Sequence, residues 1–239
     1  MAVLSVKGMS KSFGSLKVAD NVSFDLASGE ALGIIGPNGA GKSTLFNLIT
    51  GNLKPDSGQV MLDGRDVTRE TPMQRCASGI GRSFQIPQPF GHLSVYENLL
   101  VAARFGGSVK ASEAPDFCME LLTRTGLDHL ATQKAGALPL LSRKRLELAR
   151  ALSTRPHVIL LDEIAGGLTD GECGELVSTI RAIHAEGMAI IWIEHVLHAL
   201  NAVVSRLMVL NFGEVLMDGK PDAVMAAPKV REIYLGIEA

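Results

Sequence analysis

Over residues 22–27, Val22, Phe24 and Leu26 alternate with Ser23, Asp25 and Ala27. That period of two predicts a strand with one buried face. A short apolar run at 31–35 meets a glycine-rich turn, and residues 42–50 then carry a helical pattern that stops at Gly51, where a left-handed cap belongs. Residues 59–62 read as another strand between the turn residues Asp56-Ser57-Gly58 and Asp63-Gly64. From about residue 94 to 152 the pattern is mostly helical. Ser94 with Glu97 forms the capping box of a first helix, residues 115–125 make a second that stops at Gly126, and residues 143–152 make a third that ends before Arg155-Pro156. The last third alternates again. Residues 158–161 are continuously apolar, as in a strand buried on both faces. A helix at 170–186, a strand at 188–193 and a hairpin of 206–210 with 214–217 around Asn211-Phe212-Gly213 follow. Strands separated by helices predict a parallel α/β sheet, with a helical subdomain over 88–152 inserted between core segments 1–87 and 153–239.

Composition narrows the functional classes. The chain has 239 residues, 46% hydrophobic and 20% charged, with 23 Lys and Arg against 25 Asp and Glu. A disordered chain is excluded, and so is a nucleic-acid binder driven by bulk charge, because near-neutrality creates no general basic field. The length admits one large domain or a core with a subdomain. Cys76, Cys118 and Cys173 form no CxxC pair and no ligand-spaced group, so neither a disulfide framework nor a zinc knuckle is expected and a reducing cytoplasm fits. No signal peptide is expected from the first residues. The longest apolar run, 188–193, falls far short of the roughly 20 residues of a membrane span. Docking onto a membrane protein is compatible with all of this.

The chemistry concentrates at Gly36-Pro37-Asn38-Gly39-Ala40-Gly41-Lys42-Ser43, which fits G-x-x-x-x-G-K-[ST] between a predicted strand and a predicted helix. Glycine lets the backbone fold around phosphate oxygens so that successive N–H groups point inward. The helix N-terminus adds a partial positive charge. Lys42 supplies a mobile cation for the β- and γ-phosphates, and Ser43 a hydroxyl for Mg²⁺. Asp162 ends the apolar run at 158–161, at the strand tip where α/β folds bind ligands. Glu163 follows, placed to orient or deprotonate an attacking water.

Taken in order, Gly36–Thr44, Arg82-Ser83-Phe84-Gln85, Leu146-Glu147-Leu148-Ala149-Arg150-Ala151-Leu152, Leu160-Leu161-Asp162-Glu163 and Ile193-Glu194-His195 resemble the ATP-binding subunit of an ABC transporter. The ending Val209-Leu210-Asn211-Phe212-Gly213-Glu214-Val215 with Tyr234-Leu235-Gly236 is most similar to the branched-chain (hydrophobic) amino-acid importers. The resemblance runs from Leu4 to Gly236. It implies a single α/β domain: a P-loop NTPase ABC ATPase core with a mainly parallel sheet, an N-terminal antiparallel β part and a helical subdomain. ATP and Mg²⁺ are the implied cofactors. Residues 36–44 would hold the phosphates, and Ser43, Gln85 and Asp162 the metal. Glu163 matches the catalytic base, His195 the switch histidine and Gln85 the loop glutamine that reaches the metal and the water. Phe13 falls where an aromatic ring stacks on adenine, the alternative being a core ring of the first strands. The implied partners are integral membrane permease subunits, a second ATPase subunit and, indirectly, a periplasmic substrate-binding protein. The implied place is the cytoplasmic face of the inner membrane.

The pattern also departs from the family. The signature loop that should carry Ser and two Gly is Leu138-Pro139-Leu140-Leu141-Ser142-Arg143 here. Pro139 brings neither hydroxyl nor N–H, and Ser142 is the substitute expected as an N-cap hydroxyl. Ile164 stands in place of Pro and Thr169 in place of Asp; both are expected to bear on the dimer interface. Arg143-Lys144-Arg145 reads as the solvated first turn of a helix. His195 and His198 have i, i+3 spacing but no third metal ligand at ligand spacing beside them. A lipid or lipopolysaccharide exporter shares this machinery. A soluble ATP-switched ABC factor usually carries tandem cassettes or a nucleic-acid-binding insert, and a P-loop kinase lacks the set Gln85, Glu163 and His195.

Overall fold

The computed structural model describes residues 2–235, so Gly236 of the terminal Tyr-Leu-Gly phrase lies outside the described residues. Two sheets organise the chain. The first is antiparallel, in the order β2 (Leu16–Ala27), β1 (Ala2–Phe13), β4 (Ser57–Leu62), β5 (Arg65–Asp66). Val22, Phe24 and Leu26 all turn inward on β2, as their alternation requires. The second sheet has the order β10 (Glu214–Gly219), β9 (Arg206–Asn211), β3 (Ala31–Ile35), β8 (Ala189–Ile193), β7 (Val158–Asp162), β6 (Ile80–Arg82). Its neighbours are parallel except β10 against β9. β3, β7 and β8 are buried at every position, which is why they read as unbroken apolar runs.

Helices cover both faces of the parallel sheet. On one face, α1 (Lys42–Thr50) packs between the two sheets, and Leu45, Phe46, Leu48 and Ile49 share a core with Leu4, Val6, Leu32 and Ile191. On the other, α3 (Val95–Phe105), α4 (Ala114–Arg124), α5 (Leu140–Leu152) and α6 (Asp170–Ala185) share a second core with Ile35, Leu161 and Trp192. Between α1 and β6 lies the short helix α2 (Pro72–Ser78), which Thr71 and Gln74 cap reciprocally. Ser94 and Glu97 do the same for α3, as their spacing predicts.

Several expectations are corrected. Helix α5 starts at Leu140, three residues before the predicted start, with Pro139 at its N-cap and no side-chain cap. Ser142 therefore lies inside the helix and cannot serve as an N-cap hydroxyl. Lys144 is 3% exposed, so the Arg143-Lys144-Arg145 run is not a solvated turn throughout. Ile164 is fully buried in the chain's own core, where its side chain packs. Thr169 is the N-cap of α6 and completes a capping box with Glu172. It stabilises a helix start where the family pattern has Asp.

Candidate functional site

The turn after β3 makes the cradle. Gly41 sits at φ 101°, and a β-carbon there would stand 2.1 Å from the Val18 carbonyl oxygen. Only glycine fits both the conformation and the approach of β2. The turn is braced by the β9–β10 hairpin: Gly213 N–H donates to the Ala40 carbonyl at 3.0 Å, and Asp20 N–H to the Gly213 carbonyl at 2.8 Å. Lys42 is 6% exposed, and its Nζ donates to the carbonyls of Gly36 at 2.6 Å and Pro37 at 3.0 Å. Burial pushes this ammonium below the usual lysine range, while the charges of Glu163 and Asp162 oppose the shift. A cleft of about 270 Å³ opens over the cradle, lined by Leu16, Val18, Asn38, Lys42, Ser43 and Glu163 among others. A larger cavity of about 600 Å³ lies far from this chemistry, around Gly51, Lys54, Arg69 and Arg75. Arg75 is buried there and donates to the Leu48 and Ile49 carbonyls at 2.7 Å each, closing the open C-terminal end of α1.

Three loop segments converge on Glu163. The residue holds φ 45°, a strained left-handed conformation for a non-glycine residue, at the tip of β7. Its Oε1 meets His195 Nε2 at 2.7 Å, and its Oε2 accepts from Gln85 Nε2 at 2.5 Å. His195 comes from the segment after β8 and Gln85 from the segment after β6. The parallel order β8-β7-β6 brings these three strand ends side by side. Both carboxylate oxygens of Glu163 are thus held, one from each side, next to the cleft over the cradle.

Asp162 is engaged differently from its neighbour. Its Oδ2 accepts from Arg82 Nη2 at 2.8 Å, and the two side chains are only 8% and 10% exposed. Arg82 Nη1 also donates to Asn47 Oδ1 at 2.6 Å. The guanidinium lies 5.0 Å from the Phe84 ring centre and 5.6 Å from that of Phe46. The second Asp162 carboxylate oxygen, the Ser43 hydroxyl and the Gln85 amide oxygen are hard-oxygen donors of the kind Mg²⁺ prefers.

The fold brings most of the expected site residues together. Residues 36–44 form the cradle, and Asp162, Glu163, Gln85 and His195 border it. Phe13 is 53% exposed at the end of β1, which corrects the reading of a core ring. The cleft wall itself comes from Leu16 and Val18 across the hairpin turn. No three His, Cys, Asp or Glu side chains gather as a metal group among the described residues. His198 meets Cys173 Sγ at 3.9 Å, a neighbour that its sequence spacing did not show.

Three residues of the site had no role assigned from sequence: Arg82, Lys144 and Glu194. Lys144 Nζ donates to the Gln85 carbonyl at 2.7 Å and reaches the Glu163 carbonyl at 3.4 Å. Its spacing with Leu148 and Ala151, on the buried stripe of α5, was the available signal. Glu194 and Arg82 announce themselves only through non-local contacts.

The comparisons show the family and the fold. The family model described as ABC transporter matches residues 19–166. The probable branched-chain amino acid transport ATP-binding protein LivG of Methanocaldococcus jannaschii is 34% identical, over 99% of this chain and 98% of the relative. The lipopolysaccharide export system ATP-binding protein LptB of Haemophilus influenzae is 30% identical, over 99% and 98%. Among solved structures, the ADP conformation of an ATP-binding cassette from an ABC transporter superposes with a TM-score of 0.90 at 34% identity, covering 99% of this chain and all of that one.

Proposed function

The chain belongs to the ABC transporter family of ATP-binding proteins and is an ATPase, and from that premise we propose that it drives import of branched-chain amino acids or related small polar solutes through a membrane permease. The observation that carries the energy-coupling part is the double grip of His195 and Gln85 on Glu163 beside the cradle. The importer reading draws on the likeness to LivG and on the ending around residues 209–215.

In this reading the amide cradle and the N-terminus of α1 bind the triphosphate, and Lys42 exchanges the Gly36 and Pro37 carbonyls for phosphate oxygens. Adenine stacks on the exposed ring of Phe13. Ser43, Asp162 and Gln85 would hold Mg²⁺, which would supply charge neutralisation at the phosphates. Glu163 accepts the proton of the attacking water, and His195 keeps the carboxylate oriented toward it. A second ATPase subunit closes over the nucleotide head-to-tail. Motion of the Gln85 segment then passes to a permease seated on the exposed Phe84, Ile86, Phe90 and Phe105. A periplasmic binding protein would deliver the solute, which need not touch this chain. No helix among the described residues is long and apolar enough to cross a membrane. The likeness to transporter ATP-binding proteins supports a peripheral place on the cytoplasmic face of the inner membrane.

The LptB relative supports a second reading, export of lipopolysaccharide or lipid. Uptake of radiolabelled leucine by cells with and without this gene separates the two. Lost uptake supports the importer. Normal uptake combined with an outer-membrane defect supports the exporter and overturns the first reading.

A further inference from the structure

Two buried charges next to the site are not used by the chemistry above. Glu194 ends the run of β8 and is 1% exposed. Its Oε1 accepts from Ala165 N–H at 2.7 Å and its Oε2 from His195 N–H at 2.9 Å. Ala165 belongs to the loop that follows Glu163, so one carboxylate ties the loop after β7 to the loop after β8. Burial raises the Glu194 carboxyl above its ordinary range, and the N–H groups of Ala165, His195 and Val196 pull it back. On the other side, Lys144 is 3% exposed and ties the Gln85 carbonyl to the Glu163 carbonyl. Burial lowers this ammonium below the usual lysine range, and the charges of Glu194, Glu163 and Glu147 oppose that. The two side chains reach the same loops from different elements, Glu194 through the N–H groups of Ala165 and His195 and Lys144 through the carbonyls of Gln85 and Glu163.

We propose that Glu194 and Lys144 are positioning residues for the loops around Glu163. The carboxylate fixes the backbones of Ala165 and His195, and the ammonium fixes those of Gln85 and Glu163. Together they hold the three loops so that the Gln85 and His195 side chains meet the Glu163 carboxylate. Neither touches nucleotide or the reacting atoms. The inference rests on Glu163 being the base, but its first readout involves no turnover and so stands or falls separately.

Glu194→Gln keeps the shape of the side chain but leaves one acceptor, so its amide NH₂ must face a backbone N–H donor. Amide hydrogen exchange in the full chain is expected to quicken at least tenfold at residue 165 or 195, with the amides of β8 unchanged. Unchanged exchange at both loops, or equal quickening through β8, overturns the proposal. In the assembled transporter, Glu194→Gln and Lys144→Met should each lower kcat at least tenfold while the Kd for a fluorescent ATP analogue stays within twofold. Lys144→Arg should restore most of the rate. Equal losses in kcat and affinity would mean a general structural role and overturn it. The double variant should lose less than the product of the single losses, because both act through the placement of the loops around Glu163; simple multiplication refutes that shared route. Should Glu194→Gln fail to fold, exchange at residues 85 and 163 in Lys144→Met decides, with quickening expected there and no change contrary to the proposal.

Discussion

Arg82→Met strips Asp162 of its counter-charge while keeping the apolar stem length. The pair is nearly water-free, at 10% and 8% side-chain exposure with an N–O distance of 2.8 Å. Removing one partner of such a pair leaves a stranded charge and typically costs about 3–5 kcal/mol. Asn47 Oδ1 also loses its 2.6 Å donor, and the cation contacts with Phe46 and Phe84 are lost. For a chain of this size each kcal/mol lowers Tm by about 2–4 °C, so the variant should melt about 6–20 °C lower. Urea unfolding of the wild type, Arg82→Met, Asp162→Asn and the double variant gives the full cycle. The double should be destabilised by at least about 1 kcal/mol less than the sum of the singles, because it leaves no buried charge uncompensated. A single-variant cost below about 1 kcal/mol, or additivity within about 0.5 kcal/mol, refutes the reasoning.

Three further outcomes follow from particular contacts. Thr169→Ala removes the hydroxyl that caps α6 by accepting from Glu172 N–H and donating to the Glu172 carboxylate; urea unfolding should show a loss of about 1 kcal/mol, with no loss meaning that the cap is idle. Cys118 is fully buried, and burial pushes its thiol from 9.0 up to about 11. It should resist a thiol reagent at pH 8 until the chain unfolds. Its folded pKa is raised, so the proton-linked stability is complete below pH 9.0 and lost as pH climbs toward about 11; the stability gap between wild type and Cys118→Ala should narrow over that window. Helix α5 presents Pro139 and a 41%-exposed Leu140 at the place of the signature. Writing Ser-Gly-Gly over residues 139–141 should raise ATPase turnover of the assembled transporter, and unchanged turnover with the dimer intact would count against the weak-signature reading.

Local sequence carried much of this architecture. The cradle could be read because glycine spacing, the preceding apolar strand and the following helix are contiguous. Strands β3, β7 and β8 could be read because burial on both faces leaves no polar position within them before Asp162 at the tip of β7. What escaped is non-local or hidden by residue type. Arg82 and Asp162 are 80 positions apart, and only the parallel pairing of β6 with β7 brings them together. Lys144 looked like one of three solvated cations, yet the helix begins three residues earlier than its charges suggest and turns that side chain inward. The same early start removes Ser142 from the cap. Phe13 reads from sequence as the ring that stacks on adenine, with a core ring as the alternative; the hairpin leaves it half exposed, which removes only the core reading.

The central claim is that Glu163 is the base that cleaves a triphosphate held ahead of Lys42. Single-turnover hydrolysis by Glu163→Gln, measured alongside its affinity for ATP, addresses it most directly. The account predicts a rate at least a hundredfold below wild type, about 2.7 kcal/mol of barrier, with nucleotide still bound at near wild-type strength. Hydrolysis at an undiminished rate would contradict it.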